Sequence, residues 1–382
     1  MPQIFELFGF PLIDDTQAAR SGRANAFCPF MGRVCDGGGN RYSSHLHLAR
    51  LPEVLALYPG RETLPAGVCS IRLVADGEPW IVCPRRLMAL NRNRQDGDTH
   101  QGDSESRILR LLRYPAGTTL GVWSEVKLMY KQQVRTPAGN RQKKFDYTFD
   151  YVLMPLGRVT QEQAVHASGI DWGLLSRHLR DSGFTIAQRE RTTYIEDFPT
   201  GIPSIIEIMT SSTSGGNKAK RTTIANAVED ALRGNEHKAP GINYRQVWAR
   251  MVSQLIVKSE VALNWGGRTI WLVQDVLVDY ICASTALDVR QFLAEGLDEV
   301  NVLSLTYGNK SHEQHGVIEL GVDGVFAGPM AAGVDGANVR PSFQDMVRAV
   351  LKPEITRLVK LLVSKRPLNR IATPRAIGNG QH

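Results

Sequence analysis

Glu207 is the one charge in IPSIIEIM, residues 202 to 209, a run that otherwise has the apolar pattern of a buried strand. Burying an unpaired carboxylate is costly, so Glu207 must be paired, protonated or bound to a cation. A second acid, Asp150, lies in KFDYTFDYVLMPLG, residues 144 to 157, where period-two alternation predicts a strand. Two acids on adjacent strand ends, within reach of one divalent cation, are the minimal machinery for metal-assisted phosphodiester hydrolysis. Hard oxygen ligands hold the cation, which neutralises the phosphate and lowers the pKa of a bound water. The alternatives are a structural ion pair with an arginine for Glu207 and simple solvent exposure for Asp150.

The residue two after Glu207 shares its face of the strand, and it is Met209. A thioether neither takes a proton nor binds a hard cation well. Water activation is therefore expected from the metal alone or from a base on another segment, with Lys218 and Lys220 nearest along the chain. These lysines lie in SSTSGGNKAKR, just before a predicted helix. Cations there oppose the helix dipole, so an anion held between them and the free N–H groups is one expectation, and an ordinary solvated loop is the other. In VWARMVSQLIVKSEV, Arg250, Gln254 and Lys258 fall at i, i+4 and i+8. Such a row suits DNA phosphate contacts, or is the wet side of an amphipathic helix.

Four of the five cysteines, Cys28, Cys35, Cys69 and Cys83, lie in the first quarter of the chain, spaced C-x6-C, 33 residues, C-x13-C. Short strands such as GVCSIRLV and EPWIVCP, broken by turn residues, need a staple, and four thiolates around one metal would supply it. Zinc and iron both suit all-sulfur coordination. His45 or His47 could replace one cysteine, four buried structural thiols without a metal are the alternative, and four thiolates leave no open position for catalysis. Cys282, in an apolar segment, is expected in the core.

These residues must be positioned by a chain of 382 residues, long enough for two domains. A hydrophobic content of 42% excludes general disorder, and the formal charge of +7 favours a polyanionic partner such as nucleic acid. With no secretory signal at the start and no run of membrane-spanning length, an intracellular, cytoplasmic protein with reduced cysteines is expected. The polar stretch at 91 to 107 places a boundary between a metal-binding domain, 1 to 107, and an α/β catalytic domain, 108 to 382. Helices are expected over 171 to 182, after residue 223, across Arg250 to Lys258 and over 353 to 364, with a strand at RTIWLVQ.

The segments FDYVLMPL, IIEIMT, AFCPF, GVCSIRLV and WIVCPRR resemble, in order, those of the NotI-type restriction endonucleases. The resemblance implies a PD-(D/E)XK nuclease core, a mixed sheet flanked by helices, joined to a small, loop-rich, metal-binding N-terminal domain. It implies Mg2+-dependent cutting of double-stranded DNA at a GC-rich palindrome by a homodimer, with a cognate DNA methyltransferase protecting the host. Carried onto this chain, Asp150 and Glu207 are the catalytic metal ligands, and Met209 stands where the family prototype has glutamine and related nucleases have lysine. Cys28, Cys35, Cys69 and Cys83 hold the structural metal, for which the family implies iron. Gln254 and Lys258 resemble a Q-x-x-x-K pattern of this nuclease class. The interval of 57 positions between the acids is longer than the family suggests, as if residues 157 to 199 were inserted. That makes Asp197 and Asp146 rivals to Asp150, with Glu125 a further acid. Arg33, Arg41, Arg85 and Arg86 are candidate guanine contacts. The competing readings are a catalytically impaired DNA-binding protein and a metal-dependent nuclease without sequence preference.

Overall fold

The computed structural model describes residues 1–38, 45–56, 58, 60–90, 102–136, 139–284, 289–313, 315–328 and 353–372. Its centre is a nine-stranded mixed sheet. The strands Ser204–Ile208, Arg268–Gln274 and Val300–Thr306 run parallel in the middle, and antiparallel strands extend the sheet on both sides. The parallel strands read as near-continuous apolar runs because both faces are covered. The long helix Tyr244–Asn264, capped by Asn243 accepting from the Gln246 N–H, packs on Arg268–Gln274.

The segment 157 to 199 lengthens the sheet without separating the two acids. Strand Gly139–Thr160 runs through Asp150 into a capping box, where Thr160 and Gln163 satisfy each other's backbone N–H groups and start helix Gln161–Ser168. That helix stops at Gly169, whose φ of +62° suits glycine. Helix Trp172–Asp181 follows, capped by Asp171, and then the hairpin Ile186–Arg189 and Thr192–Pro199 returns to pair beside Gly139–Thr160. The long interval between Asp150 and Glu207 is thus a loop of sheet and helix that brings the chain back to the same strand.

The N-terminal part forms a four-stranded antiparallel sheet from Gln3–Leu7, Phe10–Pro11, Val68–Arg72 and Pro79–Ile81. It shares a core with the large sheet: Ile81 and Leu87 pack with Leu120, Ile206 and Leu272. Gln274 accepts from the Ile81 N–H at 2.7 Å and donates to the Pro79 carbonyl at 2.6 Å. Residues 91–101 of the polar stretch lie outside the described residues, and helix Gly102–Leu111 buries Ile108 and Leu109 in the same core. Among the described residues no helix is long and apolar enough to cross a membrane.

Candidate active site

Asp150 and Glu207 stand across from each other on adjacent antiparallel strands, one step beyond the pairs Tyr151–Ile206 and Val152–Ile205. Side chains opposite one another in such a ladder share a face. Asp150 Oδ2 accepts the backbone N–H of Ile208 at 2.8 Å, which fixes the carboxylate beside its neighbour. Glu207 is 1% exposed. Its Oε2 accepts from Lys258 Nζ at 2.5 Å, and its Oε1 is buried with no hydrogen-bond donor among the described residues. Burial pushes the Glu207 carboxyl well above its usual range, and the adjacent Asp150 adds to this while Lys258 opposes it. Two crowded acids with an unsatisfied buried oxygen offer the hard donor set that a small divalent cation takes.

Lys258 is only 3% exposed, so it is no solvent-facing phosphate contact. The row Arg250, Gln254 and Lys258 descends into the site: Arg250 is exposed at the mouth, Gln254 is half-buried and Lys258 touches Glu207. An ammonium group from the helix thereby occupies the neighbourhood left without one by Met209. Met209 itself is buried among Val247, Met251 and Trp271. Lys218 and Lys220 are exposed in the turn before helix Ile224–Leu232 and do not line the cleft, while Arg221 is matched by Asp230 at 2.6 Å and Glu229 at 3.3 Å.

Beside the acids lies a cleft of about 710 Å³, which Asp150 lines and the buried Glu207 and Lys258 do not. Asp150, Glu125, Arg250 and the small hydroxyl residues Ser211 and Thr213 line one side, and Gly38 and Arg85 of the N-terminal part line the other. Glu125 lies opposite Asp150 in the register of its own hairpin, with a φ of +50° that is rare for a residue with a side chain. The rival acids are elsewhere. Asp146 is on the exposed face, paired with Lys144 at 2.5 Å and Lys127 at 3.8 Å, and Asp197 pairs with Arg370 at 3.3 Å. Neither lines the cleft.

No family model and no curated protein matches this chain. The chemistry is therefore carried by the geometry alone.

Cys28, Cys69 and Cys83 are buried together with Phe30, Met31 and Ala89, and Cys35 packs against them. The Gly37 N–H donates to Cys35 Sγ at 3.4 Å, backbone N–H groups of Phe30 and Met31 reach Cys28, and those of Arg85 and Arg86 reach Cys83. Burial pushes the Cys28 thiol up to about 12, whereas a hydrogen bond from Cys69 holds Cys83 below its ordinary value. The four cysteines share one apolar cluster with N–H donors at Cys28, Cys35 and Cys83, donors that suit a soft metal such as zinc or iron, but no three of the sulfurs lie mutually within 4.8 Å, so they do not form a closed tetrahedral set here. His45 and His47 are exposed. Among the described residues, the one group of three or more potential ligands with all donor atoms within 4.8 Å is Asp14, Asp15 and His315. Asp14 already accepts from the Thr16 N–H at 2.9 Å and the Gly316 N–H at 2.7 Å, which makes it a clasp between two loops. Cys282 is half-buried against the apolar core around Trp271.

Two of the four arginines expected to touch bases are committed to other work. Arg86, 4% exposed, donates to Glu6 at 2.9 Å and to the Ile318 carbonyl at 2.6 Å, and Tyr307 Oη donates to the same Glu6 at 2.6 Å. Arg85 donates to Asp36 at 3.1 Å and to Tyr151 Oη at 3.2 Å, which ties the Cys83 turn to the residue after Asp150. Arg33 is exposed, and Arg41 lies outside the described residues. Sequence reasoning did not find the Lys258–Glu207 pair, because the helical row that holds Lys258 has the same pattern whether wet or buried.

Proposed function

We propose that this chain is a divalent-cation-dependent endonuclease of double-stranded DNA, of the type II restriction kind, with a four-cysteine structural metal site of zinc or iron. The observation that carries it is the cluster of Asp150, Glu207 and Lys258, in which a buried carboxylate oxygen has no hydrogen-bond donor among the described residues. Asp150 and Glu207 Oε1 would hold Mg2+, which when bound supplies charge neutralisation at the phosphate and a more acidic water. The Ile208 N–H keeps Asp150 turned toward Glu207. Lys258 holds Glu207 by Oε2, leaves Oε1 free for the cation, and keeps positive charge beside the phosphate that is attacked. Arg250 at the mouth suits a phosphate further along the strand.

Cutting both strands at a palindrome is most simply met by two copies related by a two-fold axis, so a homodimer belongs to the proposal, as does a methyltransferase that protects a GC-rich site. Loss of the lysine after Glu207 would favour a DNA-binding protein without catalysis, and Lys258 answers that objection by bringing an amine from the helix. Supercoiled plasmid incubated with the full chain in Mg2+ and in EDTA tests the proposal. Discrete fragments that appear in Mg2+ alone are the expected result. A smear would indicate a nuclease without sequence preference, and intact plasmid in both would overturn the assignment.

A further inference from the structure

The hairpin of Thr119–Thr136 and Gly139–Thr160 outruns the sheet to which it belongs. Thr119–Thr136 pairs with Asn369–Ala372 over 119 to 122, and Gly139–Thr160 pairs with Ser204–Ile208 over 151 to 153. Between 124 and 149 these two strands pair with each other. One face of this ribbon is covered: Leu128, Phe145 and Phe149 are buried with Trp265 and Leu358. The other face is open to solvent outward from Glu125, which lines the cleft together with Asp150. Successive cross-strand pairs on it are Lys127 with Thr148, Met129 with Asp146, Lys131 with Lys144, and Gln133 with Gln142, and all eight residues are exposed.

Charge is concentrated here. The eight include Lys127, Lys131 and Lys144 against one acid, Asp146, a net +2. Lys131 and Lys144 stand directly opposite each other, an arrangement that costs stability in an antiparallel pair and is relieved by an anion. Asp146 reaches Lys144 and Lys127, holding both lysines on the open face. Each step of two residues advances roughly 6.8 Å, so the Lys131–Lys144 pair lies about 20 Å from Asp150, the rise of about six base pairs of duplex.

We propose that this open face is a track for the DNA backbone that leads the duplex onto Asp150 and Glu207. The proposal rests on the nuclease reading and names how that site holds its substrate. A face of three lysines and two glutamines, interrupted by Met129, Asp146 and Thr148 and running outward from Glu125 at the cleft, binds phosphates without reading sequence. Asp146 moderates the row by competing with phosphate for Lys127 and Lys144.

Binding of the full chain to linear duplex DNA of mixed sequence, in EDTA and across a salt series, tests this. Replacing Lys127, Lys131 and Lys144 by alanine should weaken binding and flatten the slope of log K against log salt by about 2.7, at roughly 0.9 for each phosphate contact. Asp146→Asn should act in the opposite sense, tightening binding and leaving the slope at least as steep. Unchanged affinity and slope in the triple variant, or weaker binding by Asp146→Asn, overturns the track. If the wild-type chain neither binds nor cuts DNA, the nuclease reading fails with it. If it cuts while both variants bind as wild type does, the track alone is wrong.

Discussion

Lys258 Nζ lies 2.5 Å from Glu207 Oε2, an ion pair between elements 51 residues apart, with both side chains buried behind the cleft that Asp150 lines. Each charge there depends on the other, because neither has water to fall back on. The same ammonium group lies 5.8 Å above the Phe149 ring and 6.0 Å above the Trp271 ring, so its position is set by packing as well as by charge.

Removing Lys258 should therefore be more damaging than removing both charges. Lys258→Met is expected to cost about 3–5 kcal/mol of unfolding free energy, since it leaves Glu207 buried beside Asp150 without a counter-charge. Adding Glu207→Gln to that variant should restore much of the loss. Urea denaturation of the two single variants and the double variant measures the coupling. Strict additivity would mean that the pair is not energetically joined.

The Glu207 carboxyl titrates higher in the folded chain than its ordinary 4.5. The protonated form is thus favoured by folding. Its stabilisation is complete below about 4.5 and is lost as pH rises through the elevated folded value. A divalent cation at Oε1 competes with that proton, so Mg2+ should raise the Tm more at high pH than at low pH. Thermal melts in Mg2+ and in EDTA across a pH series provide the check, and Glu207→Gln should abolish the difference. A Mg2+ shift independent of pH in both proteins would place the cation elsewhere.

Purified chain should carry close to one equivalent of zinc or iron, lost from Cys69→Ser and Cys83→Ser. Because Arg85 ties the Cys83 turn to Tyr151, beside Asp150, loss of that metal should also lower the Tm. Elemental analysis of the two variants decides the first point: wild-type metal content in both would remove the cysteines as ligands.

Much of this site can be read from the chain because strand periodicity is local. The alternation in KFDYTFDYVLMPLG and the apolar run around Glu207 both predict strands, and the structure makes them neighbours with the two acids on one face. The cysteines likewise converge as their crowding in one quarter of the chain suggests. What escapes the sequence is set by distant partners. The helical row ending at Lys258 has one pattern for a wet face and for a face turned into a cleft, and only Glu207 decides between them. Arg86 reads as a basic surface residue until Glu6 and Tyr307, far away along the chain, enclose it. The insertion after Gly157 looks like an interruption because strand pairing back to Gly139–Thr160 is non-local.

The central claim is that Asp150 and Glu207 jointly hold a catalytic cation beside a DNA phosphate. Its most direct test is Mg2+-dependent plasmid cleavage by Asp150→Asn and Glu207→Ala, with DNA binding measured on the same preparations. Both variants should retain binding while the cleavage rate falls at least about a thousandfold, a loss of some 4 kcal/mol in transition-state stabilisation. Cleavage by either folded variant at the wild-type rate would contradict the account.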